Sequence, residues 1–291
     1  MRATKLIELY CAVCHHYNTT LVVEAQRLSN NFCPKFTDEE CMTTFIWGIA
    51  NQKFDVKKCY EFIKDFYEDW FPELPSYQAY SNRICKLSEA FKLLAGILLS
   101  GLDLDPSHSD FVIDSMPIVV AGAKRSSRAV AAKEICDKGY CASKNMYYYG
   151  IKLHSLAQCR AGTIPLPFLM RPTKASENDL TVGKDILGGV RNMNVYADKC
   201  YKNKEWEDLL LATNNISVFT PVKLKKGQDK MFLMDRVYSA AVSKVRQPIE
   251  SLFNWIQEKT NIQAASKVRS AAGLVSFVFA RIAFACLCFY S

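Results

Sequence analysis

Asn194-Val195-Tyr196-Ala197-Asp198-Lys199-Cys200-Tyr201 is the stretch that decides the reading of this chain. A short β-favouring run ends in a carboxylate, and basic and aromatic residues follow at once. Open α/β sheets place their chemistry outside the carboxyl ends of their strands. One Asp at a strand end is common, because Asp favours turns. The stretch gains weight only if further carboxylates converge on Asp198.

Upstream, Phe111-Val112-Ile113-Asp114-Ser115-Met116-Pro117 repeats the pattern. Three apolar residues run into Asp114, and Pro117 is expected to limit the strand there. Asp110 is the rival carboxylate, but it precedes that strand. Met146 to His154 is aromatic and β-rich, and a period of two puts Tyr148, Gly150, Lys152 and His154 on one face. A Lys and a His so placed can meet phosphates. Ile164–Met170 gives a third strand. Glu177-Asn178-Asp179 leads a helix from Asp179 to Leu187, stopped by Gly188-Gly189. Met193–Ala197 is the fourth strand, a helix follows over Glu205–Ala212, and Ile216–Val222 is the fifth strand.

Downstream, a helix beginning near Ser239 runs through Val245 to Ile256 with an irregularity at Pro248. Ile249, Leu252, Phe253 and Ile256 form its apolar stripe. Arg246 and Glu250 lie four apart on one helical face and can pair. Glu250 is expected at the edge of the core, facing inward. If the first and fourth strands are neighbours, Asp114 and Asp198 meet, and Glu250 closes the cluster from one side.

The 291 residues are 49% hydrophobic and 23% charged, enough apolar content for a sizeable core. Residues 1–113 hold 11 Lys+Arg against 15 Asp+Glu, and residues 114–291 hold 26 against 14. A net +12 in the second part implies a polyanionic partner, nucleic acid before membrane. Residues 121–144, with Lys124, Arg125 and Arg128, read as a basic mobile connection able to lie along a phosphate backbone. Lys223 to Lys230 is a second basic loop.

Residues 1–100 read as helical. Thr37-Asp38-Glu39-Glu40 resembles an N-cap with acids in the first turn, Val56–Trp70 has helical spacing, and Ser81–Leu99 is one helix with Ile84, Leu87, Phe91, Leu94 and Leu98 on one face. This region is at best a helix-turn-helix unit, binding DNA or dimerising. The polar turn-rich linker Gly101–Ser109 marks a division into a helical domain, 1–105, and a second domain, 106–291.

The 12 cysteines are irregularly spaced, and residues 1–20 lack an uninterrupted apolar run. Reduced thiols and a cytoplasmic protein are therefore expected, nucleoid-associated if the polyanionic partner is DNA. Cys11-Ala12-Val13-Cys14-His15 matches a haem-attachment pattern, but Leu6, Ile7, Tyr10, Cys11 and Cys14 sit in a helix-like apolar stretch and read as core. Arg281 divides the apolar run Gly273–Tyr290, so a buried terminal helix is expected and no membrane partner.

Three hard oxygen ligands, Asp114, Asp198 and Glu250, suit Mg²⁺ or Mn²⁺ better than zinc. Two such ions are the usual arrangement for phosphodiester chemistry, with nearby cations neutralising the scissile phosphate.

The same residues resemble the DDE transposases of bacterial insertion sequences. Ile113-Asp114-Ser115-Met116-Pro117 is similar to the family's first-Asp strand. Lys144 with Tyr148-Tyr149-Gly150-Ile151-Lys152-Leu153-His154 is similar to its "YYGxKxH" strand. Ala197-Asp198-Lys199-Cys200-Tyr201 resembles its second-Asp motif, with Cys200 where Gly is usual. Arg246-Gln247-Pro248-Ile249-Glu250-Ser251-Leu252-Phe253 resembles its "RxxIExxF" helix. In the longer signature of one branch, Ser243 and Gln257 replace a Tyr and a Lys.

The resemblance covers residues 110–260. It implies an α/β fold with a ribonuclease-H-like mixed sheet flanked by helices, preceded by a small all-α domain. It implies Asp114, Asp198 and Glu250 as catalytic residues holding two Mg²⁺ or Mn²⁺ ions. Arg246, Lys152 and Lys199 are implied as DNA contacts, beside His154, Lys124 and Arg125 from the basic surface. The implied partners are double-stranded DNA, as transposon terminal inverted repeats and target, and a second copy in a synaptic homodimer. Alternatives are an inactive DNA-binding derivative and a nuclease of the same fold without strand transfer.

Overall fold

The computed structural model describes residues 2–26, 33–142, 144–224 and 231–290. Packing divides the chain into two units. One gathers Met1–Gly101, Val130–Glu134 and Ile256–Ser291, and the other gathers Leu102–Ala129 and Ile135–Trp255. A division at 105/106 keeps the C-terminal residues with the sheet, whereas packing groups 256–291 with the helical unit.

The helical unit begins with α1 (Arg2–His16), α2 (Val22–Ala25), α3 (Asp38–Ala50), α4 (Val56–Phe66), α5 (Tyr77–Lys86) and α6 (Ser88–Ser100). Thr37 caps α3 in a reciprocal box: its Oγ1 accepts from Glu40 N–H at 3.2 Å, and its own N–H donates to Glu40 Oε2 at 2.6 Å. The helix expected over Ser81–Leu99 is two helices. Leu87 lies at the bend, yet Ile84, Leu87, Phe91, Leu94 and Leu98 are all buried, as their spacing requires. In α1 the buried face is Leu6 and Val13, continued by Tyr17; Ile7, Tyr10 and Cys11 are exposed and do not belong to the core. Spacings of seven and four keep 6, 13 and 17 on one side of the helix; Ile7 and Cys11 fall off it, and Tyr10, four after Leu6, lies at its edge, 37% exposed.

The second unit is built on six strands among the described residues. They are β1 (Asp110–Ala121), β2 (Asp137–Cys141), β3 (Met146–Gln158), β4 (Leu166–Lys174), β5 (Met193–Tyr196) and β6 (Ile216–Phe219). Its helices are α7 (Asp179–Gly188), α8 (Lys204–Asn214), α9 (Leu233–Arg246) and the start of α10 (Pro248–Thr260). Pro248 stands at the first helical position, where a missing N–H costs nothing. β3 pairs antiparallel with β1, β2 and β4, while β5 runs parallel to β1 and β6 parallel to β5. An antiparallel β1–β3–β4 set extended by two parallel strands with helical crossovers is a ribonuclease-H-like α/β fold. One face of this sheet forms a core with α7 and α8 through Phe111, Ile113, Leu156, Ile186, Val195 and Trp206.

Two strand expectations need correction. β1 does not end at Asp114; it continues through Pro117 to Ala121. Cys159 N–H donates to Asp110 O, so even-numbered residues of β1 ladder with β3. The missing N–H of Pro117 therefore falls on the other edge, where β5 pairs only with Asp110–Val112. The second correction is β2, which occupies part of the stretch read as an irregular basic connection. Asp137-Lys138-Gly139 has little β propensity, and cross-strand contacts hold it: Tyr140 opposes Tyr147 with rings 5.0 Å apart, and Lys138 lies 4.7 Å over the Tyr147 ring. Gly150 is required where β3 meets β1, because a Cβ there would stand 2.1 Å from Ile118 O.

α11 (Ala271–Leu287) belongs to the helical unit and packs against α3, α5 and α6. Arg281, which interrupts the apolar run, is fully buried. Its guanidinium donates to Thr260 O and Phe277 O, each at 3.0 Å, and to Phe54 O, and it lies 3.5 Å over the Phe277 ring. Burial lowers its pKa to about 9. No helix among the described residues is long and apolar enough to cross a membrane.

Candidate active site

β1 and β5 are adjacent and parallel, with Asp110 opposite Asn194, Phe111 opposite Val195 and Val112 opposite Tyr196. Asp114 stands two residues past Val112 within β1, and Asp198 two residues past Tyr196, just beyond the end of β5. The two carboxylates that the sequence separates by 84 positions thus come near each other, and Asp198 acts electrostatically on Asp114.

The Asp114 side chain is 22% exposed. Ser115 N–H, on the unladdered edge of β1, donates to Asp114 Oδ1 at 2.8 Å, and Arg246 Nη1 donates to Oδ2 at 2.8 Å. Burial raises the Asp114 pKa to about 6, against the lowering pull of the Ser115 N–H and Arg246; Asp198 and Asp179 push it up further. Among the described residues the Asp198 carboxylate has no hydrogen-bond or ion-pair partner. Glu250 is not inward-facing. Its side chain is 58% exposed, and Arg246 Nη2 donates to its Oε1 at 3.3 Å. A residue at the third position of α10 projects beside the buried Ile249, Leu252 and Ile256, away from the stripe.

A fourth carboxylate, Asp179 at the start of α7, is the residue that sequence reasoning missed. Ser115 Oγ donates to Asp179 Oδ1 at 3.0 Å, Lys152 Nζ donates to the same oxygen at 3.2 Å, and His154 Nδ1 lies 3.8 Å from it. Lys152 Nζ also donates to Glu177 O at 2.8 Å. The common face assigned to Lys152 and His154 therefore exists, but it points at Asp179. His154 opposes Ser115 across the ladder, so both leave the sheet on the side opposite Asp114. His154 is fully buried, and burial lowers its pKa to about 4, so it is neutral at pH 7 and offers no charge to a phosphate as it stands. The sequence signalled the need and not the residue: a Lys and a His on one inward strand face call for a carboxylate, without saying which.

Tyr201 is also drawn in. Its ring packs on α7, where a Cβ at Gly183 would stand 2.8 Å from it. Its buried hydroxyl has no hydrogen-bond partner among the described residues. Burial, then the charge of Asp179, pushes that hydroxyl well above the ordinary phenol range. Lys199 and Cys200 sit in a 3-10 turn, Lys199–Tyr201, directly after Asp198. Cys200 has no positive φ there, so its replacement of Gly costs no backbone strain. Lys199 is exposed. Lys124 and Arg125 are exposed in the turn beyond Ala121, roughly 20 Å along β1 from Asp114 at the usual rise per residue. Of the second basic loop, Lys223 is exposed, and residues 225–230 lie outside the described residues.

The donor set is all carboxylate oxygen, which fits Mg²⁺ or Mn²⁺ in type. A buried carboxyl held near pH 6 by burial and like charges is also what a cation would relieve. Among the described residues, no three His, Cys, Asp or Glu side chains stand grouped as a ready-made metal cage. Arg246 is the cation that Asp114 and Glu250 share.

Residues 107–270, more than half of the chain, match the family model described as transposase DDE domain. No match was found among curated proteins or among solved structures.

Proposed function

The chain belongs to the transposase DDE domain family, and from that membership we propose that it cuts phosphodiesters at transposon ends and joins the freed 3′-hydroxyls to target DNA. Asp114, Asp198 and Glu250 would hold two divalent ions, Mg²⁺ or Mn²⁺. Held there, such ions would supply activation of a water or 3′-hydroxyl and stabilisation of the leaving oxygen in an in-line displacement. The observation that carries this reading is the convergence of Asp114 and Asp198 from adjacent parallel strands, with Arg246 joining Asp114 to Glu250.

Arg246 has two ways to spend its fork. Without DNA it spans Asp114 and Glu250. A DNA phosphate matches the same bidentate geometry, and its arrival gives Arg246 an alternative acceptor. Both carboxylates would then be free to hold a cation, and Lys199, exposed beside Asp198, would add a second positive contact.

The test is nicking and joining of a labelled duplex carrying the element's own ends, with Mn²⁺, by wild type, Asp198→Asn and Glu250→Gln. Loss of both products in either variant supports the reading. Binding without cleavage by the wild type points to a DNA-binding derivative, and cleavage without a joined product points to a nuclease. An Asp198→Asn protein that still cleaves overturns the assignment of the carboxylates.

A further inference from the structure

We infer that Asp179 is a positioning residue for the Asp114 carboxylate, acting through Ser115 and Lys152; its catalytic readout rests on the reading just given. The chain of contacts is short. Asp179 Oδ1 accepts from Ser115 Oγ at 3.0 Å, and Ser115 N–H donates to Asp114 Oδ1 at 2.8 Å. The residue that aims one oxygen of Asp114 is therefore tethered by its side chain to α7. Lys152 Nζ, bound to the same Asp179 oxygen and to Glu177 O, ties β3 into the tether. Its side chain is only 13% exposed, and its charge is already met.

Two consequences separate this role from others. Lys152 serves the protein interior, so its removal should damage catalysis and leave DNA affinity alone. Asp179 acts as a hydrogen-bond acceptor, so an amide oxygen should substitute for it in part. A metal ligand would not tolerate that exchange, because the neutral amide lacks the carboxylate's charge. Misplacing a reacting group by about 1 Å can cost on the order of 10²-fold in rate.

The experiment compares wild type, Asp179→Ala, Asp179→Asn and Lys152→Met. Binding of the end duplex is measured without divalent metal, and nicking is measured across a Mn²⁺ series. The expected result is a nicking loss of roughly 10- to 100-fold for Asp179→Ala and Lys152→Met at unchanged affinity, with Asp179→Asn recovering most of it. Nicking by Asp179→Ala at the wild-type rate overturns the inference. So does an Asp179→Asn protein as impaired as Asp179→Ala that needs more Mn²⁺, which would make Asp179 a ligand. If the wild type does not nick at all, the functional reading fails, and the tether is judged by unfolding alone. Urea midpoints of Ser115→Ala, Asp179→Ala and the double variant are then compared without DNA or metal. Non-additive midpoints support the tether, and additive midpoints overturn it.

Discussion

Arg246 and Asp114 come from opposite ends of the sheet unit's sequence and meet at 2.8 Å, and the second nitrogen of the same guanidinium reaches Glu250 at 3.3 Å. The pair is asymmetric. Asp114 is enclosed and its carboxyl is raised to about 6, while Glu250 is mostly exposed. The Arg246–Asp114 contact therefore matters more than Arg246–Glu250, because an exposed i,i+4 pair contributes only a few tenths of a kcal/mol.

Replacing Arg246 with Ala removes a group that lowers the Asp114 pKa, so that pKa must rise. On the proposed function, ionised Asp114 would be the form that holds a cation, and the acid limb of the nicking profile should move to higher pH by about one unit or more. Arg246→Lys should fall between, since an ammonium keeps the charge without the fork. The measurement is the rate of end nicking from pH 5 to 9 for the three proteins. An acid limb that stays in place in Arg246→Ala counts against Asp114 as the group that titrates.

Asp114 and His154 bend the stability curve in opposite senses over the same range. The folded pKa of Asp114, about 6, lies above an ordinary unfolded value of about 3.9, so the native state binds the proton more tightly. Its contribution is present at low pH and is lost as the pH rises from about 4 to about 6. The folded pKa of His154, about 4, lies below the usual value of about 6.5, so its contribution is lost as the pH falls through that window. In the wild type the two offset each other. Asp114→Asn should gain stability relative to wild type as the pH rises from 4 to 6, on the order of 2 kcal/mol, and His154→Gln should lose it. Urea unfolding at half-unit pH intervals reads both. Parallel curves for wild type and Asp114→Asn would remove Asp114 from this account.

The sheet was legible because its central strands carry their own signals. Val195 and Ala197 lead to Asp198, Val112 and Ile113 run into Asp114, and a parallel pairing of the two strands brings those residues near each other. β2 was not legible, because Asp137-Lys138-Gly139 is made a strand by Tyr147 and Lys138 across the ladder, which no local propensity records. Pro117 misled for a related reason: a Pro breaks a strand only if its N–H side is laddered, and that side is decided by how far β5 extends. The Arg246–Glu250 pair was recoverable from its spacing of four, and the nearness of Asp114 to Asp198 from the strand pattern. Asp179 was not, since at the start of a helix an Asp is ordinary. Its company of Ser115, Lys152 and His154 is gathered from three elements by the fold.

Lys124 and Arg125 differ from Lys152 and His154 in a way that a salt titration resolves. The first two are exposed, far along β1 from the carboxylates, in the half of the chain with net charge +12. The second two are engaged with Asp179. Each phosphate neutralised by a cation contributes about −0.9 to the slope of log affinity against log salt. Lys124→Ala with Arg125→Ala should flatten that slope by up to about two, equally for end and unrelated duplexes, because backbone contacts carry no sequence information. Lys152→Met should leave the slope where it is. Affinities from 50 to 300 mM salt, by fluorescence anisotropy on a labelled duplex, make the comparison. A Lys152→Met slope as flat as that of the double variant would return Lys152 to the DNA surface and away from the interior tether.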